Sequence, residues 1–162
     1  MDTTENLVER LKLPPVSQIG VCVHNVDRAA EFYSKHFGIG PFNIYEFEAE
    51  KYWYKEQPQR LRARQGKAML GTIELELVQP LIGDSCFGEF LKAHGEGMQH
   101  LGFNVPNYDE VFARLVESGF QPLLRVESYV PAYKGFLKAS CFDTDKVGGV
   151  VFELLYKSWL MG

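Results

Sequence analysis

The sequence predicts an α+β chain made of two similar modules, each running strand, helix, strand, strand, strand. Two observations carry this expectation. The apolar stretch Ile73-Glu74-Leu75-Glu76-Leu77 has a second copy in Val150-Val151-Phe152-Glu153-Leu154, and each copy follows a small-residue turn, Gly71-Thr72 or Gly148-Gly149. Both alternate as a strand does, with a carboxylate, Glu76 or Glu153, at the same phase. In addition, an offset of 82 pairs Gln18 with His100, Ile19 with Leu101, Gly20 with Gly102, Val23 with Val105, Asn25 with Asn107 and Asp27 with Asp109. Dropping one residue near the helix end pairs Gly38 with Gly119 and Pro41 with Pro122, and an offset of 77 then joins Glu76 to Glu153. The matches fall on turns, caps and strand phase, where backbone geometry restricts the residue. A period of about eighty residues is too long for a solenoid unit and suits a duplicated α+β module.

Residues 1–15 read as an N-terminal leader. Leu7, Val8 and Leu11 have helical spacing, and Pro14-Pro15 would end that helix. The first module spans residues 16–80. Its first strand is Val16 to Val23. Asn25 then caps a helix whose first turn carries Asp27 and whose apolar stripe is Ala29, Ala30, Phe32, Tyr33 and Phe37. Gly38 and Gly40-Pro41 stop it. Strands are expected over 42–48 and 60–70, separated by an irregular aromatic segment with Tyr52, Trp53, Tyr54 and Pro58, and the strand bearing Glu76 is closed by Pro80. Residues 81–96 form a linker in which Gly83-Asp84-Ser85 caps a short helix through Phe87, Phe90 and Leu91. The second module spans 97–156, with strands near 122–127 and 134–142, and residues 157–162 are a tail.

Composition removes several function classes. A net charge of −4 offers no broad basic face, which argues against nucleic acid as a partner. No apolar run approaches a membrane span and no signal-peptide core is present, so a cytoplasmic protein without membrane partners is expected. Cys22, Cys86 and Cys141 are widely spaced and odd in number, which suggests reduced thiols in place of a disulfide framework or a zinc knuckle.

Four residues stand out. Gln18 and His100 occupy matched first strands, and Glu76 and Glu153 occupy matched last strands. A lone acid in an apolar strand ordinarily faces outward. If both acids face inward they need a compensating charge, because an isolated buried carboxylate is very costly. Packed about a pseudo-twofold axis, the four would bring one amide oxygen, one imidazole and two carboxylates into one cleft. That set suits a divalent ion such as Zn²⁺, Co²⁺, Ni²⁺, Mn²⁺ or Mg²⁺. Glu46, Glu48 and Glu50 read as a solvated strand edge, with a reserve role as bases. Arg60, Arg62, Arg64 and Lys67 form a loose basic group, read either as a phosphate site or as charges guarding an edge strand. The aromatic segment from Phe42 to Tyr54 could line a ligand cavity or pack at a dimer interface.

These features resemble the vicinal-oxygen-chelate (glyoxalase/bleomycin-resistance/dioxygenase) superfamily over roughly residues 16–156. The similarity is greatest to methylmalonyl-CoA epimerases, in Ile73 to Leu81 (IELELVQPL), Phe90 to Phe103 (FLKAHGEGMQHLGF) and Gly148 to Leu154 (GGVVFEL). The resemblance implies two βαβββ modules in an incompletely closed eight-stranded sheet around a divalent metal. Its ligand positions fall on Gln18, Glu76, His100 and Glu153. Epimerases usually have His where Gln18 stands, whereas zinc-type glyoxalase I can have Gln there. That glyoxalase also has an Arg four residues further on, for glutathione, where this chain has Cys22. An iron-dependent extradiol oxygenase would use two histidines and one carboxylate, and Gln18 removes one histidine. The implied activity is a metal-dependent isomerase moving a proton α to a carbonyl. Glu76 and Glu153 would be the acid/base pair and an acyl-CoA thioester the substrate, in a homodimer. A glyoxalase I-like lyase and a metal-free binding protein of the same fold are the alternatives.

Overall fold

A computed structural model describes residues 11–162. The helix expected around Leu7 and Val8 lies outside the described residues. The chain forms β1 (Gln18–Cys22), α1 (Val26–Phe37), β2 (Asn43–Glu48), β3 (Lys51–Tyr54), β4 (Gln57–Pro58), β5 (Arg62–Leu70) and β6 (Ile73–Ile82). After these come α2 (Cys86–His94), β7 (Gly97–Asn104), α3 (Tyr108–Glu117), β8 (Pro122–Val130), β9 (Gly135–Phe142) and β10 (Val151–Lys157).

Among the described residues one sheet contains ten strands, in the order β2-β5-β6-β1-β7-β10-β9-β8-β3-β4. The sets β1-β6-β5-β2 and β7-β10-β9-β8 repeat one topology, and β1 meets β7 antiparallel at the centre. Eight strands thus follow the expected duplication, and β3 and β4 are additional. The segment expected to be irregular is this hairpin, and it pairs with β8 through Lys51↔Glu127 to Tyr54↔Leu124. Only residues 49 and 50 separate β2 from β3, although these strands lie at opposite ends of the sheet. A chain spans at most about 3.6 Å per residue, so the sheet must curl until its two ends nearly meet, giving a half-barrel.

Asn25 caps α1 by accepting from Arg28 N at 2.9 Å, and Ser85 caps α2 by accepting from Gly88 N at 3.1 Å. Val26 and Ala30 are the buried face of α1, against Val23 and Leu77. Phe32 and Phe37 are 52% and 63% exposed, so the expected stripe is only partly turned to the core. The strand bearing Glu76 continues past Pro80 to Ile82. Pairing of β6 with β1 ends at Val78, so the missing proline N–H withdraws nothing from β1, and a register shift accommodates Pro80 against β5. Tyr52 and Tyr54 point into the main core with Phe47, Leu61, Leu124 and Val126, which is why the aromatic segment is ordered.

Candidate functional site

Strand phase brings the four matched residues together. Along β6, Leu77 packs outward under α1 while Val78 belongs to the inner core, so Glu76 shares the inner face. Along β10, Leu154 lies under α3 while Val151 and Leu155 point inward with Glu153. Gln18, Glu76, His100 and Glu153 are 1%, 5%, 0% and 5% exposed. Both acids therefore face the interior, against the ordinary reading of an acid in an apolar strand.

The register is itself twofold-symmetric. Gln18 lies opposite Gly102 and Gly20 opposite His100; Glu76 lies beside Gly20 and Glu153 beside Gly102. These two glycines make the room. A Cβ on Gly20 would overlap the His100 ring, and one on Gly102 would meet Gln18 Cβ at 2.9 Å and its Oε1 at 3.0 Å.

The four side chains converge on His100 Nε2. Glu153 Oε2 lies 3.0 Å from it, Gln18 Oε1 3.2 Å and Glu76 Oε2 3.4 Å. One nitrogen cannot satisfy three oxygens, and Glu153 Oε2 is buried without a hydrogen bond. His100 Nδ1 donates to Gln99 Oε1 at 2.7 Å, which in the neutral ring leaves the Nε2 lone pair directed into the cluster. The ring packs on Phe87 with centroids 5.8 Å apart.

Three further ionisable groups line the same face. Lys67, paired across strands with Glu76, places Nζ 3.5 Å from Glu76 Oε1 and 3.7 Å from Glu74 Oε1. Glu74 Oε1 accepts from Gln18 Nε2 at 2.8 Å and from Lys157 Nζ at 3.1 Å. The Tyr45 and Tyr133 rings sit 6.0 and 5.6 Å from Lys67 Nζ, and Trp159 stacks on Tyr133 at 4.9 Å. Sequence reading grouped Lys67 with the arginines, but its odd position puts it on the opposite face of β5. Arg60, Arg62 and Arg64 pair with Glu48, Glu46 and Asp27 at the surface, and β5 lies between β2 and β6, so they are surface charges already paired and not guards of an edge strand. Glu50 accepts from Tyr129 N at 3.0 Å.

Burial alone would lower the His100 pKa, but the Glu153 and Glu76 carboxylates outweigh it and push it up to about 10. Burial would raise Glu76; Lys67 and His100 instead bring it down to about 2. Burial opposes the charge on Lys67, yet Glu76, Tyr45 and Glu74 hold it well above the usual lysine range. Lys157 is lowered by burial and by Lys67. Burial pushes the Cys22 thiol up, and Cys22, Cys86 and Cys141 are all free and buried.

The donor set suits a divalent cation. Ligating atoms of Glu76, His100 and Glu153 all lie within 4.8 Å of one another, and Gln18 adds an amide oxygen. A cation there would give the orphaned Glu153 oxygen a partner. It would also add positive charge beside Glu153, which has only the shared imidazole, whereas Glu76 already has Lys67 at 3.5 Å.

Residues 17–135 match the family model described as Glyoxalase/Bleomycin resistance protein/Dioxygenase superfamily. The chain belongs to this superfamily. Among solved structures, a hypothetical protein of Bacillus halodurans is similar at 17% identity with a TM-score of 0.64, over 88% of this chain and 93% of that one. A variant of Streptomyces coelicolor methylmalonyl-CoA epimerase in complex with 2-nitronate-propionyl-CoA is similar at 24% identity with a TM-score of 0.63, over 90% of this chain and 98% of that one. The Mycobacterium tuberculosis methylmalonyl-CoA epimerase is similar at 22% identity with a TM-score of 0.60, over 91% and 94%. At these identities the likeness to the solved structures is one of fold. An uncharacterised Bacillus subtilis protein, YqjC, is 25% identical over 88 residues, 54% of this chain, and the match spans about half of that relative's length (55%).

Proposed function

We propose that the protein is a metal-dependent isomerase that removes and returns the proton on the carbon α to a carbonyl, with an acyl-CoA thioester of the methylmalonyl type as substrate. The observation that carries this reading is Glu153 Oε2, a buried carboxylate oxygen without a hydrogen bond, 3.0 Å from His100 Nε2. Gln18, Glu76, His100 and Glu153 would hold the ion. A divalent cation supplies positive charge to a substrate carbonyl oxygen as negative charge develops there. Lys67 and His100 hold Glu76 well below the usual carboxylate range, which makes it a poor base and a firm donor. Glu153, which loosens from the ion to act, is the group that takes the α-proton and, as its conjugate acid, returns one, while Glu76 across His100 Nε2 stays charged as a ligand. Tyr45, Tyr133 and Trp159 exclude water from the Lys67 side. The outward Phe32, Phe37 and Met98, 52%, 63% and 59% exposed, support a homodimer.

The donor set of one Gln, two Glu and one His also favours a second reading, a glyoxalase I-like lyase acting on a hemithioacetal. Against it, Cys22 is fully buried and uncharged where that resemblance expects an arginine for glutathione. The binding-protein reading is weakened because Tyr52 and Tyr54 fill the core instead of lining a cavity.

Solvent deuterium tests the proposal. Metal-loaded protein is expected to wash label into the α-position of (2R)- or (2S)-methylmalonyl-CoA. No exchange in any 2-methylacyl thioester, with conversion of a glutathione hemithioacetal, would transfer the assignment to the lyase.

A further inference from the structure

An amide side chain has two ends of similar shape and opposite polarity, and its neighbours decide which one faces a site. Gln18 Nε2 is committed to Glu74 Oε1 at 2.8 Å, which turns Gln18 Oε1 toward His100 Nε2 at 3.2 Å. Lys157 and Lys67 stand 3.1 and 3.7 Å from the same Glu74 oxygen as counter-charges. Were the amide reversed, its N–H groups would face the carboxylate cluster and any cation in it, and its oxygen would meet Glu74.

The duplication does not repeat this arrangement. The offset of 77 places Val151 opposite Glu74 and Pro80 opposite Lys157. Each position is uncharged in the other copy, so the module topology itself does not require a charge there. In the second half the corresponding task falls to Gln99, which holds His100 through Nδ1.

We propose that Glu74 is a positioning residue, with Lys157 and Lys67 as its counter-charges, that fixes Gln18 as an oxygen donor to a divalent cation. The proposal rests on the metal-site reading above. It also separates the two acids of β6 by role: Glu76 faces the ion and Glu74 aims its neighbour.

The test compares the parent with Glu74→Gln and with the charge-balanced double variant Glu74→Leu/Lys157→Met, which removes the acceptor without stranding a lysine. Co²⁺ affinity is measured by competition titration, the absorption spectrum of the Co²⁺-loaded protein reports the donor set, and thermal melting reports the fold. Second-layer partners of metal ligands commonly carry 10–100-fold in affinity. The double variant is therefore expected to melt near the parent and bind Co²⁺ about 10–100-fold more weakly, with a changed spectrum. Adding Gln18→His, whose ring nitrogen needs no amide orientation, is expected to recover affinity. Parent-like affinity and spectrum in the double variant would overturn the proposal while leaving the metal site standing. A lowered melting point with unchanged affinity would make Glu74 structural only, and would also overturn it. A parent that binds no divalent ion would remove the metal-site reading and this proposal together.

Discussion

Gly20→Ala is the sharpest perturbation available. The added Cβ would meet His100 Cε1, Nε2 and Nδ1 all well inside 3.0 Å, against the ~3.5–4.0 Å of a comfortable carbon contact. The ring has nowhere easy to go, because it is 0% exposed and packed on Phe87. It must retreat by about 1 Å or more, which breaks the convergence of Glu76, Glu153 and Gln18 on Nε2. Overpacking of this kind costs about 1–3 kcal/mol. In a domain of this size each kcal/mol lowers Tm by about 2–4 °C, so a fall of roughly 2–12 °C is expected by circular dichroism, with the fold retained. Divalent-ion affinity by calorimetry should fall about 100-fold or more, beyond what losing a supporting contact does. Gly88→Ala is the control. Its Cβ would meet only Ser85 Oγ at 3.6 Å, and alanine favours the helix by about 0.5–1 kcal/mol, so stability should hold or rise and affinity should not change. Gly20→Ala with parental metal affinity would refute the argument from close approach.

Other outcomes follow from the same geometry. Glu153→Gln keeps an oxygen donor but removes the base, so turnover should fall about 100-fold or more with Tm little changed; near-parental turnover would move the base elsewhere. The raised His100 pKa in the metal-free protein contributes stability that is complete below the unfolded value of 6.5 and is lost as pH rises through about 10. Binding a metal at pH 8 should then release about one proton, measured by calorimetry in buffers of different ionisation enthalpy, with affinity rising as pH increases. Trp159→Ala should cost at least the ~0.5–1.5 kcal/mol of an aromatic pair, seen as a lower denaturant midpoint. Sedimentation at micromolar concentration should give a dimer, and a monomer would contradict the reading of the exposed Phe32, Phe37 and Met98.

Much of this arrangement is legible in the sequence because a duplication prints its constraints twice. Glu76 and Glu153 mark the same phase of two strands, and the common offset leads from Gln18 to His100 and from Gly20 to Gly102. The parts that the repeat does not carry are harder to read. Glu74 has Val151 as its counterpart, so nothing in the comparison of copies singles it out, although its spacing of two from Glu76 puts both on one face. Lys67 falls into a run of arginines, and only strand parity separates it from them. Lys157 is four residues beyond Glu153, on the same face, but it is the last residue of β10, where the sequence reads as a tail. The β3–β4 hairpin has no local signature because its partner is β8, more than seventy residues away (Lys51↔Glu127).

That long-range pairing has a consequence for how the protein is made. A two-stranded hairpin is marginal in water by itself, so residues 51–58 cannot settle until β8 has been synthesised. At roughly 5–20 residues per second, the wait from Pro58 to Val130 is on the order of 4–14 s, during which Tyr52 and Tyr54 lack the strand that covers them in the finished protein. The reverse dependence holds for the second half. A fragment of residues 97–162 would present β8 with a bare edge, its Leu124, Val126 and Val130 ready to pair with another copy. Because β3 pairs with β8, neither half is expected to fold as an autonomous unit. Nicking the chain between β2 and β3 should leave the pieces clasped in the native protein, and separating them should yield aggregates.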